Sequence, residues 1–154
     1  MKIIMCKFNF KPTTIFWVLI VVFAIIIGNM ILLPSFLPES LRVYVIYTIF
    51  TSWAISFVLG LALIASTVKQ KVEGALKKFL LLTGASAVAF PVFAVLHNLI
   101  YGLFIYFFGQ DFWERIGLGD EPFFFILAVI VCPIGFLVGM IGSIVLFIKK
   151  GRQA

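Results

Sequence analysis

Residues Phe79 to Phe108 read FLLLTGASAVAFPVFAVLHNLIYGLFIYFF, thirty positions without an Asp, Glu, Lys or Arg. An α-helix rises about 1.5 Å per residue and the hydrocarbon core of a bilayer is about 30 Å thick, so about 20 apolar residues cross it. This run exceeds that length and must tilt, kink or project. Three more runs share its character, at 13–33, 43–66 and 122–148. Together they predict an all-α, integral membrane four-helix bundle of up-down-up-down order, with residues 1–154 forming a single transmembrane domain.

Composition supports this reading. Hydrophobic residues make up 64% of the 154 and charged residues 12%, with a mean hydropathy of +1.23. A soluble domain carries about 25% charge. A soluble globular domain, a disordered chain and a disulfide scaffold are thereby excluded. The net charge of +6 sits in short segments between apolar runs, so lipid headgroups are the expected anionic partner and nucleic acid is not. Cys6 and Cys132 fall in the basic tail and mid-span, too far apart for an intrachain disulfide. The first run is longer than the ~7–15 apolar residues of a signal peptide and no Ala-x-Ala pattern follows it, so it is expected to be retained.

The breaks are well punctuated. Pro34 and Pro38 bracket a turn with Glu39 and Ser40, and the second helix starts near Arg42. Between Thr67 and Lys78, apolar positions at helical spacing alternate with lysines, which predicts a short amphipathic stretch on the membrane surface. In the last break Asp111 and Glu114 suit an N-cap and its partner, Phe112, Trp113 and Ile116 suit the interface, and Gly117 suits a turn end. Pro122 suits the first turn of the fourth helix, while Pro91 and Pro133 are expected kinks. Trp17, Trp113, Tyr44 and Tyr106 fit interfacial belts, and Trp53 reads as core or lipid-facing filler.

Ten of the twelve basic residues lie in the N-terminal tail, the middle loop and the C-terminal tail. The positive-inside rule then places both termini in the cytoplasm; the expected location is a prokaryotic plasma membrane. Lys69, Lys71, Lys77 and Lys78 are candidate contacts for anionic lipids.

Candidate chemistry is sparse. No acidic or basic side chain lies deep in a span, which disfavours a proton-coupled antiporter or a Schiff-base pigment. No catalytic or metal motif occurs, so no catalytic residue, metal site or cofactor is expected, and the outer carboxylates Asp111, Glu114, Asp120 and Glu121 read as caps and solvated groups. His97 is the exception, next to Asn98. Asn29, Thr48, Thr51 and Ser52 fall at comparable depth, so His97, Asn98, Asn29 and Ser52 form a candidate ligand-binding cluster or a packing cluster that fixes helix register. A haem at His97 is disfavoured by the absence of a second histidine, and a metal site from His97, Asn98 and Cys132 by the expected lack of carboxylates around them.

Small residues form stripes. Gly135, Gly139 and Ser143 recur at i, i+4, i+8, and Thr48, Ser52, Ser56 and Gly60 fall on one line. Such faces let helices approach closely, either as internal seams or against another chain. The expected function is a small accessory, anchoring or assembly subunit without a catalytic site, with a protein partner or a homo-oligomer. The alternatives are an oligomeric channel or transporter for a neutral or apolar solute along the Thr48–Gly60 stripe, and a membrane enzyme or cofactor-binding protein using His97.

Overall fold

The computed structural model describes residues 11–32 and 38–152. The expectations resting on Cys6, Lys2, Lys7 and Pro34 lie outside them, as do those on the side chains of Glu39, Ser40 and Arg42. The described residues are helical throughout apart from short connections, and contain no strand. In chain order they form α1 (Pro12–Leu32), α2 (Glu39–Lys69), α3 (Gly74–Phe108), the single turn α4 (Phe112–Arg115), α5 (Pro122–Ile126), a π-helical turn (Leu127–Val131) and α6 (Cys132–Gly151). Four stretches are long and apolar enough to cross a membrane: Pro12–Asn29, Val43–Lys69, Gly74–Phe108 and Pro122–Gly151.

The helices pack in opposite senses. Along α2 and α3, Trp53 meets Phe90, Ser56 meets Ala87 and Gly60 meets Gly84. Along α3 and α6, Ser86 meets Gly135 and Thr83 meets Gly139. Phe16 meets Phe147, and Phe23 stacks on Phe136 with ring centroids 3.9 Å apart, which sets α1 against α6. The lysines of the described residues and Arg152 therefore gather at one end of the bundle, the basic end. Asp111, Glu114, Asp120 and Glu121 gather at the other, the acidic end.

The expected surface helix between Thr67 and Lys78 is not a separate element. α2 runs on to Lys69, and α3 begins at Gly74. The turn between them closes with Val72 N–H donating to the Thr67 carbonyl and Lys71 N–H to that of Val68, the paired bonds of a left-handed helix cap. Lys71 takes the left-handed position (φ 51) where glycine is usual. Val72 and Leu76 pack on the core, so their spacing reflects a helix that dives into the bundle.

The prolines leave different marks. Pro91 has no N–H to give the Ala87 carbonyl four residues back. That carbonyl accepts from Ser56 Oγ of α2 at 3.4 Å, so a broken helix bond becomes an interhelical one. Ahead of Pro133 the helix widens to a π turn, with Cys132 N–H reaching the Leu127 carbonyl. Cys132 itself is buried and carries a free thiol.

Candidate functional site: a histidine strut at the acidic end

Glu121 precedes Pro122, whose fixed φ suits the first helical position. From this N-cap position its carboxylate accepts from the amides of Phe123 (Oε1, 2.8 Å) and Phe124 (Oε2, 2.9 Å), neutralising free donors of the first turn of α5. The residue is only 5% exposed. Its own amide donates to Asp120 Oδ1 at 2.7 Å.

His97 reaches this cap from α3. Nδ1 lies 3.1 Å from the Glu121 carbonyl oxygen and 3.3 Å from Oε2, and Nε2 lies 3.5 Å from Asp120 Oδ2. Both ring nitrogens thus face oxygen atoms of the segment that leads into α5. The carboxylates read from the sequence as solvated groups are thus the partners of His97. The reading that none surrounds it is corrected: the loop before α5 folds back over the end of α3.

Beneath the strut lies a cavity of about 150 Å³, lined by His97, Asn98, Trp53, Phe90, Phe125 and Val129 among others. The Trp53 indole N–H is buried with no acceptor among the described residues. Trp53 also meets Phe90 edge-on at 5.3 Å. The π turn supplies Val129 to the wall; such turns recur at functional sites.

The other candidates are distributed as follows. Asn98 lines the cavity, but its amide donates to the Ala94 carbonyl of its own helix at 2.8 Å. Asn29 bonds in the same way to Ile25, Thr48 to Tyr44 and Thr51 to Tyr47. Ser52 is buried on α2 and does not line the cavity. Of the four candidate ligand-binding residues, then, His97 and Asn98 share a wall and Asn29 and Ser52 lie elsewhere. The expected capping by Asp111 is also replaced: its side chain caps nothing and lies 3.4 Å from Arg115. Trp113 is buried, stacked on Tyr101 with its N–H directed to the Tyr101 carbonyl.

The glycines mark close approaches. A Cβ at Gly139 would lie 2.5 Å from Thr83 Oγ1, 2.7 Å from Thr83 N and 2.9 Å from the Phe79 carbonyl oxygen. At Gly60 it would lie 2.8 Å from the Gly84 oxygen, and at Gly135 2.6 Å from Ser86 Oγ. Ser143 is fully buried, its hydroxyl without a partner among the described residues.

The fold defines a small membrane protein of four apolar helices, with one histidine–carboxylate strut at its acidic end. No family model, no curated protein and no solved structure matches the chain. Among the described residues no three His, Cys, Asp or Glu side chains are grouped to hold a metal ion.

Proposed function

We propose that the chain is a multi-pass protein of up-down-up-down order with both termini in the cytoplasm, and that it acts as an accessory, anchoring or assembly subunit without a catalytic site of its own. The carrying observation is the face of α2 at the acidic end. From 43 to 51 no residue is buried, and Tyr44, Tyr47 and Phe50 are 69%, 68% and 61% exposed. Aromatic side chains with a polar tip are the anchors that interfaces favour. The hydroxyls of Thr48 and Thr51 are satisfied within α2, so a partner helix docks there without stranding a polar group. The basic end supports a contact with anionic lipids through Lys69, Lys71, Lys77 and Lys78. The channel reading is weakened by α3, which covers Ser56 and Gly60 of its proposed path.

A photo-crosslinking residue at Tyr47, compared with one at Val145 of α6 in native membranes, tests this reading. The expected result is one protein adduct of fixed mass from position 47, lost on Phe50→Ala. Lipid adducts alone at both positions would overturn it, and a self-adduct would transfer the weight to an oligomeric channel.

A second reading rests on the unpaired Trp53 N–H. A small apolar molecule carrying a carbonyl would supply its acceptor in the His97 cavity. A bound species in the mass spectrum of the gently extracted protein, lost in Trp53→Phe and His97→Phe, is the expected sign. Identical spectra for parent and variants would exclude it.

A further inference from the structure

We propose that the basic end holds a binding site for a phosphate-bearing ligand, built by the ammonium groups of Lys11, Lys71 and Lys150. The proposal rests on the reading of the chain as membrane-embedded and sharpens which lysines matter. These three come from the start of α1, the α2–α3 turn and the end of α6, yet all line one cavity of about 630 Å³. That volume falls within the ~300–1,000 Å³ of ligand pockets. Lys69, Lys77 and Lys78 do not line it.

Its charge is unbalanced. Among the described residues none of the three lysines forms an ion pair, and the one carboxylate in the wall is Glu73. Pro12 and Thr13 bring in the N-terminus of α1, whose dipole adds positive potential. The floor is apolar, made by Leu76, Leu80 and Phe147. A cationic rim above an apolar floor fits a phosphate attached to an acyl chain, and also holds a free phosphate by the rim alone. The Glu73 carboxylate is placed to accept from a headgroup hydroxyl.

Lys71 supplies an independent argument. Among the described non-glycine residues it alone has a positive φ, 51°. Glycine would adopt that conformation without strain. A lysine there lines the cavity at the expense of the turn, the pattern expected where a binding role outweighs local stability.

The test uses the full-length protein in nanodiscs of phosphatidylcholine with a minority of phosphatidylglycerol, with retained lipid counted by native mass spectrometry and inorganic phosphate as soluble competitor. Lys71→Gly and Lys150→Gln are each expected to lower retained phosphatidylglycerol about fivefold. Arg152→Gln, the same loss of charge at the same end but outside the cavity wall, leaves it unchanged. Lys71→Gly is also expected to raise Tm, a combination that a purely structural lysine cannot give. Displacement of the lipid by inorganic phosphate supports a soluble phosphate ligand, and persistence supports a lipid headgroup. Equal loss in all three variants would overturn the proposal in favour of diffuse surface charge. A parent protein that inserts with intact helical circular dichroism but retains no excess phosphatidylglycerol and gains no Tm from inorganic phosphate would also overturn it, leaving the membrane reading in place.

Discussion

The two ends of this bundle are held together by different means. Toward the basic end, α3 meets α2 and α6 through glycine, alanine, serine and threonine, close enough that a single added methyl would strike backbone atoms at Gly60 and Gly139. Toward the acidic end, α2 from 43 to 51, α3 from 96 to 108 and α5 contain no buried residue. There the elements are joined by the His97–Glu121 strut and by Trp113 folded onto Tyr101. In lipid no hydrophobic force pulls helices together, so close van der Waals approach and polar contacts must do it. One half uses the first and tolerates no bulk. The other uses the second and leaves its aromatic faces open to lipid or a partner.

The sharpest way to break this contrast is Gly139→Ala. The new Cβ meets the backbone of Thr83 and Phe79, so α3 and α6 must separate. A loss of about 2–3 kcal/mol is expected in a reversible unfolding titration. At the acidic end, Glu121→Ala removes the N-cap and the strut partner together, with an expected loss of about 1–2 kcal/mol. Glu121→Gln keeps an oxygen for the Phe124 amide and should lose less. Faster hydrogen exchange at Phe123 and Phe124, without change around Gly139, would show that the effect is confined to that end. Lys71→Gly should stabilise by about 1 kcal/mol, because glycine takes a positive φ freely. Gly102→Ala should have the smallest effect. Nothing lies within 4 Å of a Cβ there, so only helix propensity acts, a gain of at most about 1 kcal/mol. A loss at Gly102 as large as that at Gly139 would refute the claimed asymmetry.

The four helices were legible because thirty residues without a charge admit few alternatives to a span. Their ends were less so. Val72 and Leu76 carry the same spacing whether they lie on a surface or enter the core, and the left-handed turn after α2 is hidden by Lys71 standing where glycine would have announced it. The strut was half legible. Glu121-Pro122 reads as a cap, and His97 sits near the same depth, but their meeting depends on the phase of two helices and on the fold of the loop between. Asn29, Asn98, Thr48 and Thr51 matched in depth as well, yet each bonds to the carbonyl four residues before it, a local solution that hydropathy and spacing do not distinguish from an interhelical one.

The π turn before Cys132 is in effect a one-residue insertion that the helix has absorbed. Everything before it is rotated by about 100° and advanced by about 1.5 Å relative to an uninterrupted α-helix. The glycine seam after the turn and the capping carboxylate before it therefore point where they do because of a single extra residue. Deleting Ile130 would leave the seam seated on α3 while swinging Glu121 away from His97. The fourth apolar stretch is better regarded as two helices in different phase, one reading frame for the basic half of the bundle and another for the acidic half.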